Sequence, residues 1–181
     1  MALITLNKLA LPTGSVLQVQ QGTKSSSATL SNIAVSTFAD AGLSVTITPN
    51  SSSNKILLQG TIEFHSADNS QVFKLQYSTN GGSSYSDVPA IGDAENSHWR
   101  VYGGTSTPRW STSQDTHHYG QLAFSYLHSI SSTNTHIYKV VVGNEQGNAN
   151  IYINRSEAWA NEQKAHGRIT ISTIQATEFK A

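Results

Sequence analysis

The sequence predicts an all-β protein, an antiparallel β-sandwich or jelly roll of about ten strands, and three observations carry that expectation. Charged residues make up only 12% of the 181-residue chain, about half the usual ~25%, while serine and threonine supply roughly a quarter of it. A surface solvated by hydroxyls and amides suits strands and turns, because threonine fits a pleat while serine, asparagine and glycine fit corners. From Val16 onward apolar residues recur at every second position, the period of a half-buried strand. Between the alternating runs stand clusters such as Pro49-Asn50-Ser51 and Asn80-Gly81-Gly82, which punctuate a chain at its turns.

Each element follows from this period. Leu43, Val45 and Ile47 alternate with Ser44, Thr46 and Thr48 and stop at Pro49, which makes a half-buried strand. Lys55 to His65 carries Ile56, Leu58, Ile62 and Phe64 on one face. Gly60 sits in the middle of that face, so this reads as a central strand that another backbone or a bulky side chain approaches closely. Phe73, Leu75 and Tyr77 alternate next, and Asn80-Gly81 reads as a type I′ hairpin turn into a return strand begun by Tyr85 and Val88. Residues 90–115 lose the alternation and hold Trp99, Trp110 and Pro108, so they form a long decorated connection. Leu122, Phe124 and Tyr126 then face one way, Ala123 and Leu127 the other. Ile137 to Val142 is apolar on both faces apart from Lys139, as in a strand covered on both sides. After Ile151-Tyr152-Ile153, the last strand places Ile169 and Ile171 on one parity but Ile174 and Ala176 on the other, which predicts a β-bulge near Ser172-Thr173.

Composition narrows the function classes. Eleven bases balance eleven acids, so no net field draws the chain to nucleic acid or an anionic membrane. With no cysteine there is no thiol catalysis and no thiolate metal site. No Gly-x-Ser-x-Gly elbow, His-Glu-x-x-His or phosphate loop occurs, so no catalytic residue and no cofactor is expected. His117 and His118, beside Asp115, are the one local histidine cluster. Neighbours on a strand point to opposite faces, so the pair does not share a metal. Asn50-Ser-Ser and Asn154-Arg-Ser match the glycosylation pattern.

Met1 to Leu11 is apolar through Leu3, Ile4, Leu6, Leu9 and Leu11. It has no basic leader region, Lys8 interrupts it, and no cleavage site follows, so it is not expected to be a signal peptide; no run is long enough for a membrane helix. Pro12-Thr13-Gly14 cuts it off. Residues 1–14 therefore read as a docking arm and 15–181 as a single head domain. Exposed aromatics stack on sugar rings and dominate protein contacts, which makes Trp99, Tyr102 and Trp110, with His117 and His118, the ligand-binding candidates. Tyr119, Tyr126 and His128 are the candidates for a subunit contact.

Leu11-Pro-Thr-Gly-Ser-Val-Leu-Gln-Val-Gln-Gln-Gly-Thr-Lys24 and the stretch from Gly42-Leu-Ser-Val-Thr-Ile-Thr-Pro-Asn50 to Leu58 resemble a domain common in tailed bacteriophages of aquatic bacteria. Ile137-Tyr-Lys-Val-Val-Val142, Ile151-Tyr-Ile-Asn-Arg-Ser156 and Ile169-Thr-Ile-Ser-Thr-Ile174 resemble its closing strands, so the likeness runs in order over nearly the whole chain. The resemblance implies a β-sandwich head of the kind that ends phage tail fibres, like the trimeric heads of C1q and tumour necrosis factor. It implies a non-enzymatic virion structural protein, assembled in the bacterial cytoplasm and carried on the virion surface. As a homotrimer it would be attached by the arm to the major capsid protein or a tail protein, as a capsid decoration or a tail adaptor. The alternative is a tail receptor-binding protein that recognises host surface carbohydrate through the aromatic loop 90–118. Neither nucleic-acid binding nor membrane insertion belongs to this expectation.

Overall fold

A strand whose every second side chain is apolar buries one face, and two sheets of such strands close over a shared core. In the computed structural model, which describes residues 11–65, 71–90, 92, 100–105, 120–145, 148–155 and 169–181, eleven strands do this in two antiparallel sheets. The first sheet holds β1 (Val16–Lys24), β2 (Ala28–Ile33), β4 (Lys55–His65), β8 (Gly120–Ser129), β10 (Ala149–Ile153) and β11 (Ser172–Phe179). Its order is β1-β11-β4-β10-β2, with β8 on the other side of β4. The second sheet holds β3 (Phe38–Ile47), β5 (Gln71–Ser78), β6 (Ser86–Asp87), β7 (Gly103–Thr105) and β9 (His136–Asn144). Its order is β3-β9-β5-β6, and β7 also pairs with β5. From β2 to β5 and again from β8 to β10 each connection changes sheet, the winding of a jelly roll.

The predicted inward positions form the core. Leu43, Val45 and Ile47 of β3 meet Ile56, Leu58, Ile62 and Phe64 of β4, with Phe73, Leu75, Tyr138, Val140, Ile151 and Ile174 closing the cluster. Each fully buried Leu, Ile or Phe contributes roughly 1.5–3 kcal/mol of transfer free energy. β4 is central, paired along its length to β8 and on its other side to β11 and then β10. Gly60 is the close approach that its position in the pattern indicated. A Cβ there would lie 2.2 Å from the Thr173 carbonyl oxygen and 2.6 Å from the Phe124 ring.

Four expectations change. The last strand has no bulge at Ser172-Thr173: Ser172, Thr173 and Ile174 pair in unbroken register with Lys24, Thr23 and Gly22 of β1, and Thr173 and Ile174 with Thr61 and Gly60 of β4. Ile169 and Ile171 precede the strand and point outward, 53% and 52% exposed, so parity is kept and the two isoleucines are simply on the solvent side. The shift lies at the other end, between Val16 and Gln18. In the turn after β5 the positive φ angles fall on Gly81 and Gly82 (72° and 87°), not on Asn80. Asn80 instead uses its side chain, accepting from the Ser78 hydroxyl at 2.7 Å and donating to Ser84 Oγ at 2.8 Å. The return strand is only Ser86–Asp87. Finally, Asn154 is fully buried. It donates to the carbonyls of Lys24 (2.6 Å) and Ser26 (3.2 Å) and accepts from Ser172 Oγ (2.6 Å), so it ties strands together and offers no glycosylation acceptor in the folded chain.

Replacing Gly60 by alanine forces Cβ into backbone and ring at once, and overpacking of this kind costs about 2–3 kcal/mol. Urea unfolding of Gly60→Ala should lose that much, while Gly92→Ala, where no atom of the described residues stands within 4 Å, should match the parent protein.

Candidate functional site

The sandwich has two unlike ends, and the strand directions define them. At one end the chain enters and leaves. Leu11 to Ser15 turn through Ser15 N–H donating to the Pro12 carbonyl (3.2 Å), and the backbone then pairs with the C-terminus. Gly14 N–H donates to the Lys180 carbonyl at 2.8 Å and Lys180 N–H to the Ser15 carbonyl at 2.9 Å. The Lys180 ammonium donates to the Leu11 carbonyl. Leu11 to Gly14, counted with the arm in the sequence, are thus already fastened to the head. Leu3, Ile4, Leu6 and Leu9 lie outside the described residues.

Beneath this root sits a buried carboxylate. Glu178 is 0% exposed, and four neutral donors surround it: Gln18 Nε2, Asn50 N, Asn50 Nδ2 and Asn54 Nδ2, at 2.6, 2.7, 2.6 and 2.6 Å. Burial pushes the carboxyl up, but the bonds from Asn54, Gln18 and Asn50 together outweigh it and hold the group below its ordinary value, as hydrogen bonding to the charged form does. Three stretches distant in sequence, around residues 18, 50–54 and 178, are so joined at one point. Beside the root, a shallow hollow of about 400 Å³ is lined chiefly by Thr13, Leu57, Leu127, Phe179 and Lys180.

The outer face of the first sheet carries this apolar character inward from the end. Strand register aligns four cross-strand rows. The outermost runs Val16, Phe179, Lys55, Ser129, and the next Val19, Thr177, Leu57, Leu127. A row of Gln21, Gln175, Gln59 and Ser125 follows, then Thr23, Thr173, Thr61 and Ala123. Val16, Val19 and Leu127 are each about half exposed, at 51%, 51% and 46%. The second sheet's outer face differs in kind. There Lys74 pairs with Asp87 and Lys139 with Asp40, each at 3.2 Å, and the two ammonium groups lie over the rings of Phe38 and Tyr85.

The opposite end gathers the long connections. Thr105 pairs with Gln71 at the start of β5, and Gly120 with Phe64 near the end of β4, so both anchors of the 106–119 connection are held at the end away from Gly14 and Lys180. Trp99, Trp110, His117, His118 and Tyr119 lie outside the described residues. Tyr102 is described, and its ring serves the head itself. It packs on Phe73 and Phe124 with centroids 5.3 and 6.3 Å away. Its hydroxyl donates to the Ser125 carbonyl at 2.7 Å and accepts from Ser125 N–H at 3.0 Å. Those groups lie on the edge of β8 that pairs with no described strand, an edge that a sheet must cover.

Of the subunit-contact candidates, Tyr126 is partly buried against the core and His128 is buried, while Tyr119 lies outside the described residues. Tyr126 and His128 share the inward parity of Phe124, and His128 is 5% exposed, which leaves its ring no surface for a second chain. It belongs to a buried ring cluster that the sequence reading missed. His128 Nδ1 and Tyr138 Oη are hydrogen-bonded at 2.9 Å. Tyr77 packs edge-on to His128 and parallel to His136, whose Nδ1–H donates to the Asn134 carbonyl at 2.7 Å. Burial first, and His136 second, lower the His128 pKa from 6.5 to about 4; burial also lowers His136 and raises the Tyr138 hydroxyl. The parity was readable, since 128 follows 124 and 126, and 136 leads into 138 and 140.

Among the described residues, no three His, Cys, Asp or Glu side chains gather as a metal site requires, and no helix is long and apolar enough to cross a membrane. No protein-family model matches the chain, and no curated protein matches it.

The buried groups fix a direction for acid sensitivity. Below pH 6.5 the unfolded chain takes up protons that native His128 refuses, so stability falls as pH drops from about 6.5 toward 4. Glu178, depressed in the fold, contributes above the ordinary carboxylate range and loses that contribution as pH falls through its lower native value. Thermal melts should show both steps. His128→Gln should shrink the upper one, leaving the share that His136 contributes. Glu178→Ala, which strands three amide side chains, should cost about 3 kcal/mol at pH 7 and flatten the lower one.

Proposed function

We propose that this chain is a non-enzymatic structural protein of a tailed-bacteriophage virion, a homotrimeric surface head attached by its N-terminal arm to the major capsid protein or a tail protein. The observation that carries the reading is the polarity of the sandwich. The root of the apolar arm is hydrogen-bonded to the C-terminal strand at one end, while the anchors of the long 106–119 connection lie at the other. Such a body can hold a surface with one end and present loops to the medium with the other. The resemblance of residues 11–58 and 137–174 to phage head domains supports the same reading, as does the β-sandwich itself.

The mechanism is binding alone. In a trimer three arms engage together, and effective concentration lets weak individual contacts hold the head in place. A short apolar arm attaches through burial, which salt does not screen as it screens surface charge. The attachment lies on the virion surface and needs no cofactor.

Host-glycan recognition through residues 90–118 is the second reading, supported by the placement of that connection's anchors far from the arm. It assigns the ligand contact to Trp99 and Trp110, because Tyr102 is occupied within the head.

Deleting residues 1–11 removes Leu3, Ile4, Leu6, Leu9 and Leu11. The truncated protein should keep its strand signal in circular dichroism but no longer sediment with virions to which the full chain binds; a truncated protein that still sediments with them would overturn the arm as the attachment. Under the second reading, Trp110→Ala lowers binding to host-cell polysaccharide at least tenfold without changing the unfolding midpoint.

A further inference from the structure

The chain before β1 is turned back on the head. Pro12 to Ser15 form a β-turn, closed by Ser15 N–H donating to the Pro12 carbonyl at 3.2 Å. Gly14 takes the positive φ, 85°, that the third residue of a type II turn requires. β1 runs from this turn toward the far end of the sandwich, so the residues that precede the turn do not prolong the line of β1 out of the head. Lys180 fixes the other limb, its ammonium donating to the Leu11 carbonyl. Leu11, half-buried, is therefore held against the terminal end.

Thr13 and Gly14 of this same turn line the hollow of about 400 Å³ whose other walls include Leu57, Leu127 and Phe179. The lining is almost wholly apolar. Leu127, in register with Leu57 across β8 and β4, is 46% exposed. Apolar side chains gathered on a concave surface mark a contact, and the arm is the occupant that the turn delivers. Leu9 and Leu6 stand two and five residues before Leu11. An extended chain covers about 3.3–3.6 Å per residue, so both leucines reach a hollow that begins at Thr13.

We infer that residues 1–10 fold back in cis and that Leu9 and Leu6 occupy the hollow between Leu57, Leu127 and Phe179, so that the free head carries its arm stowed. The arm of a second copy is the weaker competitor, because a segment joined to its site by a few residues has an effective concentration of the order of millimolar. The consequence for attachment rests on the arm reading. An apolar arm left in water would bring heads together, and stowing keeps it covered until a virion surface offers a larger apolar contact. Attachment then draws the arm out of the hollow, and its apparent affinity falls with the fraction of heads whose arm is stowed.

The chain has no cysteine, so one introduced thiol reports on one position. The rate at which a maleimide dye labels Leu127→Cys in the full chain, without virions, is compared with the rate when Leu6→Ser and Leu9→Ser are added. Leu57→Cys is a second reporter in the same hollow, should either variant fail to fold, and Ser44→Cys, an exposed position on the outer face of the second sheet, is the control. A hollow occupied about nine-tenths of the time slows labelling about tenfold. The parent arm should do this to both hollow thiols, equally at low and high protein concentration, and leave Ser44→Cys unchanged. Equal rates with either arm would overturn the stowed arm, whatever else covers the hollow. Protection that disappears on dilution would assign the hollow to the arm of another copy and overturn it too. Unprotected thiols in a chain that still sediments with virions through its arm remove the stowing alone; protected thiols in a chain that does not sediment support the stowing and remove the attachment.

Discussion

The carboxylate of Glu178 is the constraint around which the terminal end is built. A negative charge at zero exposure is tolerable only when donors replace the water it has lost, and here amides of Gln18, Asn50 and Asn54 do so within 2.7 Å. Because these donors come from β1 and from the turn between β3 and β4, satisfying one group fixes two distant segments against β11. The β1–β11 ladder, the hydrogen bonds between Gly14, Ser15 and Lys180, and the position of Leu11 all follow from that closure. An arm emerging from such a root has a fixed point of departure, which an attachment device needs and a frayed terminus lacks.

Sidedness and polarity then follow from the two sheets. The inner faces share a core to which both contribute. The ends do not resemble each other, one carrying the Leu11–Ser15 turn paired with Lys180 and the other the anchors of the long connections. The proposed attachment at the end of Leu11 and the proposed display at the far end would use different surfaces without conflict. Tyr102 belongs to the same economy: by bonding both the N–H and the carbonyl of Ser125 it closes the edge of β8 and so discourages open-ended strand addition there.

How much of this was legible in the sequence depended on how local the cause was. Leu43, Val45 and Ile47, the inward face of β4, and the alternation of Leu122, Phe124 and Tyr126 were readable because burial on one face of a strand prints a period of two. Gly60 was readable because a glycine on a core face has a packing cause. Parity misled only where its meaning was assumed: Ile169 and Ile171 looked like core residues displaced by a bulge, yet they keep the outward parity and are exposed. The same rule, applied to 128 as it was to 124, puts His128 inside. Glu178 was not legible. Nothing in the spacing of positions 18, 50, 54 and 178 links them, and a lone acid near the chain's end reads as solvated until the strands bring the amides to it. The apolar rows on the outer face of the first sheet were hidden for a similar reason, since they exist only once the register of β1, β11, β4 and β8 is known.

The orientation of the head on a virion tests the account most directly. Electron microscopy of particles carrying the protein, at a resolution that separates the two ends of the sandwich, should place Val16 and Phe179 toward the particle surface and the 106–119 connection toward the medium. A head bound with its ends reversed, or particles on which the protein has no place, would contradict it.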